Sequence, residues 1–227
     1  MIDSETKDIL YRSRVTLLDM LEEAGYAVDP FRKFAHKEIA EMANASPQTV
    51  AYSPALQIDV KRRADVPSQE GQPQRCVVFY TLARIKQKTN GFVKSLLYDA
   101  EEDDKPKYDF TTTEFIVITL EPIVGTFHLV AYEFWNKFQI RVRFFQAAAI
   151  VNNPTKHILV PKHERLSKEE TDRVLAEFYA KPLQLPIIRF HEDPIARVLG
   201  LLPMDVVRIT RPSLTAGECI GYRVCWP

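Results

Sequence analysis

The string Asp193-Pro-Ile-Ala-Arg-Val-Leu-Gly200 constrains the chain more than any other, because it spells both ends of a helix only six residues long. Asp193 can accept the free N–H groups of a first turn, Pro194 pre-sets its dihedrals, and Gly200 can close it in the left-handed region. So short a helix does not persist alone in water, since nucleation is never recovered by so few hydrogen bonds. It must lie on other elements, with Ile195, Val198 and Leu199 facing inward. Strands over 206–210 and 220–226 supply them, the second with Ile220, Tyr222, Val224 and Trp226 on one face. A further helix begins at Ser167, where Glu170 completes a capping box worth about 1 kcal/mol, and Val174, Leu175 and Phe178 give its apolar face. The last third of the chain reads as a small α+β domain.

The first two thirds read differently. Leu10, Leu17, Leu18 and Leu21 recur at helical spacing, and Gly25 stands where a C-terminal cap belongs. An irregular stretch with Pro30, Pro47 and Pro54 includes a short helix near 32–42. Leu56, Ile58 and Val60 alternate with polar residues, and 76–82 reads as the partner strand of a hairpin across the polar loop 67–73. Val93, Leu96, Leu97 and Ala100 predict a helix capped by Thr89 or Asn90. An exposed acidic loop at 101–106 follows, then a buried strand at 115–120, a helix at 127–135, a strand at 139–145 and an apolar run at 147–151. This alternation predicts an α/β domain over 1–155, joined near Asn152-Asn-Pro154 to a second domain over 156–227.

Thirty basic residues balance thirty acidic ones among 227, so nucleic-acid contact would have to come from a local patch. Cys76, Cys219 and Cys225 lack metal-ligand spacing, and the last two lie roughly 20 Å apart on one strand, which predicts free thiols in a reducing compartment. The polar N-terminus is not a secretory signal, and Glu121, Pro122, Gly125, His128 and Glu133 interrupt the apolar stretch 115–135, so no membrane association is expected. Seven unclustered glycines exclude a phosphate loop or dinucleotide fingerprint. None of the five histidines pairs with a cysteine at ligand spacing; His157 and His163 read as linker or surface residues. Nucleophile triads are absent. No cofactor, metal or small-molecule substrate is expected.

The C-terminal residues also form a long ordered set: Asp193-Pro194, Arg197, Gly200, Val206-Val207, Arg211-Pro212-Ser213, Thr215-Ala216-Gly217 and Tyr222-Arg223. This set resembles the assembly domain of the fifth subunit shared by eukaryotic RNA polymerases, a domain that also has an archaeal RNA polymerase counterpart. The likeness is tight over 157–224 and looser at 8–29, where Tyr11-Arg-Ser-Arg-Val-Thr-Leu-Leu and Gly25-Tyr-Ala-Val resemble the family's opening helix and turn. It implies an N-terminal α/β jaw domain of nuclease-like topology that projects toward downstream duplex DNA. It also implies a mixed assembly domain docked on the largest polymerase subunit, a nuclear location, and no catalysis by the chain itself. Two departures stand out. Pro203-Met204-Asp205 replaces the family's glycine-bearing turn, so that turn must be made differently. Glu121-Pro-Ile-Val-Gly-Thr126 replaces a Thr-Pro-Ser-Ala-like element that approaches DNA, and Glu121 would repel phosphate. Such divergence suggests a copy specialised for one polymerase, RNA polymerase I, and hence nucleolar; fast evolution in an unusual eukaryote or a large DNA virus would look the same.

The resemblance assigns partner docking to Asp193, Pro194, Arg197, Gly200, Arg208, Arg211, Pro212, Ser213, Thr215, Ala216, Gly217, Tyr222 and Arg223. The arginines lack matching carboxylates nearby in sequence, and each either reaches a partner or ties down the turn at 215–217. Lys61, Arg62, Arg63, Arg84, Lys86, Lys88, Arg141 and Arg143 are the DNA-facing candidates through phosphate contacts, provided that they converge. Asp59-Val-Lys61 is the fragment that a metal-dependent nuclease of the related fold would use, yet it also fits the solvent side of an alternating strand. A free transcription adaptor is the other rival.

Overall fold

In a computed structural model the chain is described over residues 2–45, 52–66, 72–99 and 105–227. It divides into two compact units, Met1–Asn152 and Asn153–Pro227. Pro47, Ala100, most of the polar loop (67–71) and the acidic residues 101–104 lie outside the described residues.

In the first unit α1 (Ser4–Glu23) starts at Asp3, whose carboxylate accepts from Thr6 N at 3.3 Å. It ends as Gly25 enters the left-handed region at φ +93°, with Tyr26 N donating to Leu21 O and Gly25 N to Glu22 O at 2.9 Å each. The second helix begins later than its sequence suggests, because Asp29–Phe31 is taken up in a 3₁₀ turn. Ala35 precedes α2 (His36–Asn44), its N–H held by the Glu38 carboxylate at 2.7 Å.

The strands follow as β1 (Ile58–Lys61) and antiparallel β2 (Arg75–Thr81). In α3 (Thr89–Leu97) neither Thr89 nor Asn90 caps the helix. Both lie in its first turn, where Thr89 Oγ1 donates back to Ile85 O at 3.0 Å and Asn90 Nδ2 donates to Glu133 at 3.0 Å. The chain then turns extended as β3 (Tyr98–Asp99), which pairs with β4 (Lys105–Pro106). β5 (Thr113–Thr119), α4 (Gly125–Phe138) and β6 (Arg141–Gln146) complete the unit. Sheet order is β1-β2-β5-β6, with β2, β5 and β6 parallel. Every residue of β5 is buried, as expected of a central parallel strand covered on both faces.

The second unit contains β7 (Lys162–Arg165), α5 (Lys168–Glu177), β8 (Ile187–Arg189), α6 (Pro194–Leu199), β9 (Val206–Ser213) and β10 (Gly217–Trp226). Its sheet runs β7-β9-β10-β8, antiparallel except for the β10–β8 pair. Leu166, Val206 and Val224 form a small core beneath Val174, Leu185 and Tyr222. The capping box of α5 is present in both halves: Ser167 Oγ accepts from Glu170 N, and the Glu170 carboxylate accepts from Ser167 N.

The short α6 differs from its sequence pattern. Ile195 and Ala196 are the buried residues while Val198 and Leu199 are half-buried. The helix packs against the 3₁₀ turn Pro154–Lys156. At 203–205 the missing glycine is replaced by strain: Met204 takes φ +77°. Asp205 steadies the turn, its carboxylate accepting from Leu202 N at 2.7 Å while Met204 N donates to Cys225 O at 2.9 Å.

Candidate functional site

The β9–β10 ladder runs from Val206 opposite Val224 out to Ser213 opposite Gly217. β7 covers β9 only at 207–210, and β8 covers β10 only at 224–226. Beyond them the hairpin continues as a bare two-stranded ribbon, on which Arg211, Pro212, Leu214, Thr215, Ala216 and Gly217 are exposed. Its turn is held by Ser213 Oγ, which accepts from Ala216 N at 3.3 Å and lies 3.3 Å from Thr215 Oγ1, with Gly217 at φ +72°. Neither of these turn contacts involves an arginine. Among the described residues Arg211 has no carboxylate within ion-pair reach. A two-stranded ribbon is marginal in water by itself, and Leu214 and Ile220 expose apolar surface along it.

The other candidates in this unit make contacts within it. Asp193 accepts from Ile195 N at 2.8 Å and Ala196 N at 3.3 Å, Pro194 opens the helix, and Gly200 closes it at φ +62°. Arg197 is mostly enclosed, and burial lowers its pKa against the attraction of Asp193. Arg208 pairs with Glu164 at 3.0 Å, Arg223 Nη1 donates to Ile187 O at 3.3 Å, and Tyr222 meets the Phe178 ring at 5.8 Å.

Sequence reasoning missed a second feature. Ten of the thirteen exposed large hydrophobic side chains among the described residues fall in this unit, among them Ile158, Leu159, Tyr179 and Leu183. α5 buries no residue at all. The signal was the apolar content of His157-Ile-Leu-Val-Pro161 and of the α5 face.

The basic groups of the first unit do not all meet at one place: Lys61 and Arg141 lie at one end of the sheet, and Arg84, Lys86 and Lys88 at the other. Lys61 lies opposite Arg75 at the start of β2, and Arg141 lies opposite Glu114 at the start of β5. Arg84, Lys86 and Lys88 follow the far end of β2, about 20 Å along a strand of that length. Arg63 is paired with Glu22 at 2.9 Å, Arg62 lies over the Tyr26 ring at 5.9 Å, and Arg141 lies over Trp135 at 5.8 Å. Arg143 does not face solvent. It is enclosed and paired with Glu114 at 2.7 Å, and Tyr26 Oη donates to the same carboxylate at 2.8 Å. Burial first, and then the Glu114 charge, push the Tyr26 hydroxyl far above its ordinary range.

Two carboxylates are also committed. Asp59 is gripped through both oxygens by Arg75, which removes it as a free metal ligand. Glu121 Oε1 accepts from Ile85 N at 2.6 Å and Lys86 N at 2.9 Å. Rather than facing solvent as a bare charge, it fixes the loop that carries Arg84, Lys86 and Lys88. That loop and residues 120–124 line an open cleft of about 930 Å³ at the carboxyl ends of β2 and β5, where open α/β sheets bind their ligands.

A small mixed sheet with a projecting ribbon and uncovered apolar side chains has the surface character of a protein-binding module. The chain belongs to the RNA polymerase Rpb5/Rpo5 subunit family: residues 152–225 match RNA polymerase Rpb5, C-terminal domain. It is 51% identical over 71 residues to DNA-directed RNA polymerase subunit Rpo5 of Sulfurisphaera tokodaii, covering 31% of this chain and 83% of that protein. The Archaeoglobus fulgidus Rpo5 is 53% identical over 68 residues, 30% of this chain and 88% of its own length. Subunit rpabc1 of DNA-directed RNA polymerases I, II and III from Dictyostelium discoideum is 45% identical over 93 residues. That match spans 41% of this chain and 47% of the relative. The family expected from the spaced C-terminal residues is the one found.

Proposed function

We propose that the chain is a non-catalytic subunit of a nuclear DNA-directed RNA polymerase. The second unit docks on the largest subunit and neighbouring core subunits, and the first unit forms part of the jaw around downstream duplex DNA. The observation that carries the docking role is the ribbon 211–220, with Arg211 unpaired at its base and apolar side chains along it. Arg211→Glu should reduce recovery of the two largest subunits with the tagged chain at moderate salt. Recovery equal to wild type sinks the docking assignment.

The DNA-facing role falls to Arg84, Lys86 and Lys88 on the Glu121-anchored loop. Neutralising all three should flatten the salt dependence of polymerase–DNA affinity by up to about 2.7 in log–log slope, near 0.9 per phosphate contact. The nuclease-like topology rests on the resemblance, with antiparallel β1 beside three parallel strands in its favour. A nuclease activity is disfavoured, because Asp59 is spent on Arg75.

Specialisation for RNA polymerase I, with a nucleolar location, is supported by the replaced element at 121–126. The Dictyostelium relative is named for all three enzymes. Quantitative mass spectrometry of the pull-down decides: one largest subunit means a dedicated copy, three mean a shared one.

A further inference from the structure

Glu121 is the one acidic residue lining the open cleft at the carboxyl ends of β2 and β5, where Arg84, Lys86 and Lys88 also lie. Among the described residues no lysine or arginine is within ion-pair distance of its carboxylate. Its hydrogen bonds go to backbone instead, one oxygen accepting from Ile85 N at 2.6 Å and from Lys86 N at 2.9 Å. Those two N–H groups have no other acceptor among the described residues. The carbonyls of the same two residues are held from the other side. Thr89 Oγ1 donates to Ile85 O at 3.0 Å and to Lys86 O at 3.2 Å, and Lys88 N donates to Ile85 O at 2.8 Å. The Ile85 side chain is buried, and Arg84, Lys86 and Lys88 are exposed. Glu121 is placed in turn by its own N–H, which donates to Thr119 Oγ1 at 3.2 Å at the end of β5.

These contacts act on an anion in the cleft in two opposite ways. Hydrogen bonds to a charged acceptor are strong, and a loop that is already ordered loses less freedom when it closes on a ligand. The carboxylate itself repels phosphate, since no cation touches it and its field reaches across a Debye length. The cleft lining carries no aromatic ring on which bases could stack, which leaves the phosphate backbone as the part of DNA it can engage.

We infer that Glu121 is the positioning residue of the basic loop and, through its charge, also the limit on that loop's affinity. Its hydrogen bonds set the geometry in which Arg84, Lys86 and Lys88 meet the phosphates of duplex DNA, while its negative charge weakens the contact. The inference rests on the DNA-facing reading of this loop.

Glu121→Gln and Glu121→Ala carry the same charge, and only glutamine keeps an acceptor oxygen, so their difference isolates positioning. Wild type against Glu121→Gln isolates charge. A labelled short duplex DNA is titrated with the full chain at low salt and followed by fluorescence anisotropy. Glu121→Gln should bind about two- to threefold more tightly than wild type. Glu121→Ala should bind at least about threefold more weakly than Glu121→Gln. Amide exchange at Ile85 and Lys86 should match wild type in Glu121→Gln and run at least about tenfold faster in Glu121→Ala. Equal affinities of the two variants overturn the positioning role, and a Glu121→Gln no tighter than wild type overturns the charge limit. A wild-type chain that shows no saturable binding overturns both. Replacing Arg84, Lys86 and Lys88 by glutamine within the polymerase tests the jaw reading separately. An unchanged salt slope there, with Glu121→Gln still the tightest binder as the isolated full chain, removes the jaw assignment and leaves the role of Glu121 standing.

Discussion

Replacing Glu114 by Gln removes one charge of a buried pair and leaves the Arg143 guanidinium enclosed. The Glu114 and Arg143 side chains are 7% and 14% exposed and 2.7 Å apart, with Tyr26 Oη 2.8 Å from the carboxylate. Breaking such a pair from one side costs about 3–5 kcal/mol, because the remaining charge keeps its desolvation penalty. Glutamine still accepts a hydrogen bond from Tyr26 or Arg143, so a loss near 3 kcal/mol is expected. At about 2–4 °C per kcal/mol for a chain of this size, the melting temperature should fall by roughly 6–12 °C. The chain has two tryptophans, Trp135 in the first unit and Trp226 in the second, so Trp226→Phe leaves Trp135 as a reporter of the unit that holds the pair. Glu114→Met with Arg143→Met removes both charges and should cost less than the single change, since neither remains stranded. A fall of under about 2 °C for Glu114→Gln, or a double variant less stable than the single, refutes the reasoning.

Met204→Gly should stabilise the second unit by about 1 kcal/mol, because φ +77° strains a side-chain-bearing residue and suits glycine; urea unfolding followed by Trp226 fluorescence measures it, and a loss of stability refutes it. Gly25→Ala should destabilise the first unit by about 1–2 kcal/mol, since its φ is +93° and a Cβ would lie 3.1 Å from Val66 Cγ1; the same titration read by Trp135 checks it. Hydrogen bonds from Lys162 and then Arg208 hold the Glu164 carboxyl below its ordinary 4.5, so its stabilisation is complete above that pH and is lost as pH falls through the depressed folded value. Glu164→Gln should therefore flatten the acid limb of the stability–pH curve, and curves that run parallel between pH 3 and 7, at roughly one-unit steps, would remove the assignment.

Some of the fold is local enough to read from the sequence. Gly25 closes α1, Ser167 and Glu170 start α5, and Asp193, Pro194 and Gly200 bound α6, because caps act within four residues of the groups they satisfy. Thr89 and Asn90 were misleading for the same reason. Both are cap-forming residue types, but Thr89 turns back to Ile85 O and Asn90 reaches Glu133 forty-three residues away. On α6 the spacing of apolar residues does not give the buried face, which is Ile195 and Ala196, with the turn at 154–156 packed against the helix.

The sequence by itself determined the longer helices and strands, the family and the identity of the candidate residues, but not the short strands β3, β4, β7 and β8, since periodicity, capping and an ordered motif are properties of neighbours along the chain. Tertiary structure alone decided which charges are available. Arg143 and Arg211 look alike in sequence, each on a strand among apolar residues, yet one meets Glu114 across the sheet and the other extends past its last covering strand. Arg14 shows the same rule on a helix: only the folding of α2 and residues 54–56 around α1 encloses it without a carboxylate. A charge is spent or free according to what lies within a few ångströms in space, and that distance is set by sheet register and helix packing, not by position along the chain.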